Sequence, residues 1–133
     1  MALSFLFVSA QEKDKWQRIY TYEDSIVEMN KSKVVFVNNN IGRVDFRTVF
    51  KKPEPLREKP GVKYKTRLET IEFKCAERRY RIYQLTLLDD KGKAVYSYEM
   101  KPEEEWLAPK SGGMMSNFMS SACSLISEKR RNP

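Results

Sequence analysis

The sequence predicts an α+β domain: an antiparallel β-sheet of about five to six strands followed by one C-terminal helix. Three features carry that expectation. Apolar and polar residues alternate with a period of two along much of the first hundred positions, as they do in a strand with one buried face. The run Asp89-Asp90-Lys91-Gly92 has the chemistry of a tight hairpin turn. Only after Ser111 do apolar residues recur at intervals of three and four, the spacing of an amphipathic helix. A chain of 133 residues is the size of one domain and leaves no material for a second core.

Taken in order, Leu3 to Val8 are almost all apolar, and Val8-Ser9-Ala10 before Gln11 resembles the small-residue cleavage site of a secretory leader. Residues 1–10 are therefore read as a leader remnant, with a buried first strand as the alternative. From Trp16 to Tyr22 the alternation marks a first strand. Lys33 to Val37, stopped by Asn38-Asn39-Asn40, marks a second, and Arg43 to Phe50 a third. Lys51 to Gly61 holds three prolines among alternating charges and reads as an exposed loop. Val62 to Cys75 is a long strand. Its alternation puts Val62, Tyr64, Thr66, Leu68 and Thr70 on one side and Lys63, Lys65, Arg67 and Glu69 on the other, with the basic stripe expected to face outward.

Arg79 to Leu88 and Ala94 to Met100 form a hairpin around Gly92, which supplies the positive φ that the turn needs. After Trp106 and Pro109, Ser111 is the expected helix cap. Met115, Phe118, Met119, Ala122, Cys123 and Ile126 form the buried stripe of the helix. The domain spans 11–127, and 128–133 is read as a loose basic tail.

Composition narrows the function. There is no histidine, so the commonest general base and metal ligand is missing, and no enzyme, metal or cofactor is expected. Twenty-five Lys plus Arg against 18 Asp plus Glu leave a net charge of +7, which favours anionic partners. Two cysteines 48 positions apart are too few for a cysteine zinc site and too distant for a redox pair, which leaves a bridge or two free thiols. The leader-like start argues for an oxidising compartment. The helical stripe would turn Cys123 inward, toward the strand ending at Cys75, so a Cys75–Cys123 disulfide is expected. Beyond the leader, no segment approaches the roughly 20 apolar residues of a membrane span.

Several landmarks then recur in a familiar order: Trp16, Tyr22-Glu23-Asp24-Ser25-Ile26, Cys75 with Arg78-Arg79-Tyr80-Arg81, Asp90-Lys91-Gly92-Lys93, Trp106 with Ala108-Pro109-Lys110-Ser111, and Cys123. In this order the chain resembles the surface-adhesin protein E family, small exported proteins of Gram-negative bacteria. The resemblance implies a curved antiparallel sheet with the terminal helix tied to its concave face by the disulfide, and self-association into dimers. It also implies binding to host matrix or serum proteins such as vitronectin, laminin and plasminogen. The named adhesin resembles a lipoprotein, which needs a cysteine just after its leader. Here Gln11 stands at that place, which points to the periplasm or to secretion rather than to a lipid anchor.

Candidate contacts are the cluster Lys74, Arg78, Arg79 and Arg81 beside Cys75, suited to sulfated glycan, acidic protein or phosphate, and the stripe Lys63, Lys65 and Arg67, extended by Lys51 and Lys52. Their plain alternative is a solvated strand edge. Tyr80 and Tyr83, with Tyr96 and Tyr98 on the hairpin partner, are expected as cross-strand aromatic pairs, and Trp16 and Trp106 as core anchors. A single-strand nucleic-acid platform ranks below these, since no characteristic string accompanies the aromatics. Asp89, Asp90, Glu99 and Glu103 to Glu105 are read as turn and surface residues. The resulting expectation is an exported, non-enzymatic binding protein acting through its basic surface. The alternative is a periplasmic inhibitor or immunity-type protein that blocks a toxin or cell-wall enzyme.

Overall fold

A computed structural model describes residues 15–133; the leader expected at 1–10 lies outside them. One antiparallel sheet contains β1 (Trp16–Thr21), β2 (Ser25–Asn30), β3 (Val35–Asn38), β4 (Ile41–Pro55), β5 (Lys63–Lys74), β6 (Arg79–Leu88) and β7 (Ala94–Glu99), and α1 (Met114–Arg131) follows. The strand order is β1-β2-β4-β5-β6-β7, with β3 alongside the start of β4. Every pairing is antiparallel and between strands close in sequence, so short turns suffice to connect them. Seven strands rather than five or six result because the alternation also holds in β2, where Ser25, Val27 and Met29 turn inward and Ile26 and Glu28 do not. The adjacent Ile26-Val27 pair and the polar ends hide that period in the sequence.

The 51–61 segment differs from the loop expected of it. β4 continues through Pro53 to Pro55, and Glu54 and Pro55 face Tyr64 and Lys63. The last partner of β4 in β2 is Ser25 opposite Phe50, so beyond that pair one side of β4 is open. A residue without an N–H is tolerated on such an edge. The β6–β7 turn follows its expectation closely. Gly92 has φ +82°, and the Asp89 carboxylate accepts the backbone N–H of both Lys91 and Lys93 at 2.9 Å.

The core lies between α1 and one face of the sheet. Val27, Met29, Val44, Phe46, Ile71 and Phe73 meet Phe118, Met119, Ala122, Leu125 and Ile126. Phe46 is stacked on Phe118 at 4.7 Å between ring centres and meets Phe73 edge-on at 6.2 Å, geometries that favour aromatic pairs. Gly42 lets the helix approach: a Cβ there would sit 2.9 Å from the Ile126 Cδ1. Cys75 and Cys123 are joined, with their Cα atoms 5.8 Å apart. The bond runs from the turn after β5 to the middle of α1.

Both ends of the helix depart from expectation. Its N-cap is Gly113 in extended conformation, without a side-chain cap, and Gly112 before it has φ +76°, so Ser111 is not the cap. At the other end 128–131 are helical rather than a loose tail. Lys129, Arg130 and Arg131 in the last turn oppose the partial negative charge of the helix terminus. Arg130 also donates to the Asn39 carbonyl at 2.6 Å.

Closing a loop of 48 residues restricts the unfolded chain by about 4 kcal/mol on the chain-entropy argument. The Cys75→Ser/Cys123→Ser variant is therefore expected to lose about 2–4 kcal/mol in urea unfolding. A variant as stable as the parent would show that packing alone holds the helix.

Candidate binding surfaces

Side-chain parity in β5 decides which of the expected contacts belong together. Ile71 and Phe73 are in the core, so the alternating residues Lys63, Lys65, Arg67 and Glu69 lie on the same, helix-bearing face. This reverses the expected outward stripe. Tyr64, Thr66, Leu68 and Thr70, which read as the buried side, lie on the face away from the helix. Arg67 is half-buried, with its guanidinium carbon 5.9 Å from the Phe50 ring centre, and its buried Nε has no hydrogen-bond partner. Glu69, opposite Phe46 and Leu85, is only 6% exposed. Burial raises its pKa above the ordinary carboxylate value, and the nearby Arg67 charge offsets this in part.

At the other end of β5, the four members of the Lys74 to Arg81 cluster separate into two kinds. Arg81 is occupied within the fold: its Nε donates to Glu72 Oε1 at 2.8 Å, its Nη1 to the Glu104 carbonyl at 2.9 Å, and its guanidinium carbon lies 4.1 Å from the Trp106 ring centre. Glu72 takes a second arginine, Arg43, on Oε2 at 2.8 Å, and its own side chain is 2% exposed. Arg78 and Arg79 are exposed. Arg78 is left-handed at φ +54°, unusual for a residue other than glycine. Arg79 reaches only the carbonyls of Glu77 and Arg78, at 3.3 and 3.1 Å. Lys74 is half-buried, its Nζ 4.3 Å from the Trp106 ring centre.

The tryptophans are not core anchors. Both are half-buried outside the main apolar cluster, Trp106 under Lys74 and Arg81, and Trp16 under Arg47 at 4.5 Å. Arg47 is itself held by Glu28 at 2.8 Å. Nor do the tyrosines pair across the hairpin. Tyr96 and Tyr98 face Leu87 and Leu85, Tyr80 faces Phe73, and Tyr83 lies beneath Arg43 at 3.6 Å. The β6–β7 pairing ends at Gln84 opposite Glu99, so Tyr80 and Tyr83 lie beyond the paired stretch that holds Tyr96 and Tyr98. Desolvation and the Glu104 carboxylate raise the Tyr98 hydroxyl above its ordinary pKa. Backbone hydrogen bonds from Lys93 and Lys91 hold the Asp89 carboxyl below the ordinary range. Among the described residues no three His, Cys, Asp or Glu side chains are placed to hold a metal ion, and no helix is long and apolar enough to cross a membrane.

One surface eluded sequence reading. β2 stops pairing with β4 at Phe50, and β6 stops pairing with β5 at Thr66, so 51–65 project as a two-stranded arm. Its tip is closed by Leu56 N–H to the Val62 carbonyl at 2.8 Å, with Leu56 buried. The arm carries Lys51, Lys52, Arg57, Lys59, Lys63 and Lys65 against Glu54 and Glu58. Charge was legible there, but the projection was not. From Lys63 to Lys74 the strand runs roughly 35 Å, so the arm and the Arg78–Arg79 turn are separate surfaces.

The family model described as surface-adhesin protein E matches residues 8–124. No curated protein and no solved structure matches the chain.

Two outcomes follow from this geometry. Arg81→Ala leaves one side of the buried Glu72 carboxylate unpaired and should cost about 3 kcal/mol or more in unfolding. Arg78→Ala and Arg79→Ala should each stay within about 0.5 kcal/mol of the parent, and equal losses at all three positions would contradict the assignment. For Glu69 the raised folded pKa means that its contribution is full below the unfolded carboxylate value and is lost as pH rises through the folded one. Glu69→Gln should therefore exceed the parent in thermal midpoint at pH 7 and lose that advantage below pH 4.5, the ordinary value. A gap that does not change with pH would refute it.

Proposed function

Because the chain belongs to the surface-adhesin protein E family, we propose that it is an exported, non-enzymatic binding protein that attaches to an acidic host matrix or serum protein, or to an acidic glycan, through its basic surfaces. The observation that carries this reading is the projecting 51–65 arm, with six basic residues and two acidic ones, none of the six ion-paired to another described residue. Of the six, Lys51 and Lys52 lie beside Glu23 and Asp24 at the base of the arm. Basic side chains that the fold does not pair keep their charge available to a partner. They also raise the encounter rate with a polyanion, an effect that salt screens.

Arg78 and Arg79 supply a second contact at the opposite end of β5, while Arg81 and Arg67 serve the fold and its buried face. Lys74 stands between the two classes, bound to an aromatic ring yet at the rim of the turn. The disulfide accords with an oxidising destination, periplasmic or secreted.

The test is binding to immobilised laminin and heparin across a salt series. Replacing Lys51, Lys52, Lys63 and Lys65 by Glu should weaken retention roughly tenfold or more near physiological salt and flatten its salt dependence. Retention that is unchanged at every salt concentration, in that variant and in Arg78→Ala/Arg79→Ala, would sink the reading.

A further inference from the structure

A different surface, at the start of β4, has the features of a docking edge. Val35, Phe36 and Val37 in β3 are 40, 40 and 44% exposed, and among the described residues they are the only run of adjacent large apolar side chains facing water. β3 pairs on one side only, with Arg43, Gly42 and Ile41 of β4, and its outer edge has no strand partner among the described residues. Edge strands are ordinarily guarded by proline or by charge within the strand. Residues 35–38 contain neither; their guards are a length of only four residues and the register shift between Phe36 and Asn38.

Cations surround this edge. Lys31 and Lys33 lead into it, and Lys33 is 61% exposed with only a 3.8 Å contact to Asp45. From the helix end, Arg130 lies 5.3 Å from the Phe36 ring centre, and with Lys129, Phe36, Asn38 and Asn39 it lines a hollow of about 480 Å³. We infer that β3 accepts an extended acidic segment of another protein, which adds as a further strand and sets Asp or Glu against Lys33, Lys129 and Arg130. The open N–H and C=O groups call for a polypeptide, because a glycan or nucleic acid cannot continue the ladder. The cations select its charge. A second copy would bring Lys33 and Arg130 against their own equivalents, and like charges placed opposite one another destabilise a strand pair. This surface is distinct from the 51–65 arm and does not depend on it.

The probe is a synthetic decapeptide in which Glu-Asp pairs alternate with Val-Ile pairs, so that acids point to both faces of the added strand, toward Lys33 on one and Lys129 and Arg130 on the other. It is used beside a control peptide with Lys at each acidic position and read by amide exchange on isotope-labelled protein. The acidic peptide should slow exchange within 35–38 by roughly tenfold or more, and the basic one should not. Lys33→Glu/Lys129→Glu should weaken the acidic peptide roughly tenfold and leave the thermal midpoint near that of the parent. Protection by both peptides alike, protection confined to β1 or β7, or none at millimolar peptide would overturn the inference. Protection of 35–38 that grows with protein concentration alone would overturn it too, in favour of a second copy.

Discussion

Among the described residues the sheet has a single covering layer on its apolar face, and the Cys75–Cys123 bond fixes where that layer lies. An open antiparallel sheet can leave one face to water, but the other must be buried. Here one helix of 18 residues does this for a much wider sheet. The fit depends on Gly42, whose missing side chain admits Ile126, and on the stacked Phe46 and Phe118. The helix also sets the limit of the core: along β5 the same face passes from Phe73 and Ile71 through Glu69 to Arg67 as helix cover gives out.

With no second helix among the described residues to cover it, the opposite face is held by charge and ring contacts. Arg43, Glu72 and Arg81 form one cross-strand row, Glu28 and Arg47 another, and Asp45 accepts the Thr70 hydroxyl at 2.7 Å. Aromatic rings lie under four of the cations, Arg43, Arg47, Lys74 and Arg81. Such contacts are worth little one by one when exposed, yet Glu72 is buried and each of its partners is needed. Basic residues in this protein thus divide into those that hold the sheet and those that project from it.

How far the sequence could be read follows the same division. The β6–β7 hairpin was legible because Asp89 and Gly92 carry their turn geometry locally, and the inward stripe of α1 because its period is plain. The Cys75–Cys123 pairing followed from two locally readable elements. Parity in β5 was misread because Tyr64 and Leu68 are larger and more apolar than the residues that alternate with them, while the deciding residues Ile71 and Phe73 lie at the far end. The roles of Arg81 and of the tryptophans could not be read at all. Each depends on partners supplied by distant strands and loops, as Arg81 does on Glu72 and Glu104, and a linear pattern does not announce them. The prolines of the 51–65 arm led to the reading of an exposed loop, because whether a strand lies at an edge that tolerates them is a tertiary fact.

The cystine also has a topological effect. Everything from the β5–β6 turn through β6, β7 and the first half of α1 belongs to a covalent ring. A protease that severs one peptide bond between residues 76 and 122 therefore yields a nicked molecule rather than two fragments. The loops around Trp106 and Gly112 can therefore be cut without shedding the helix.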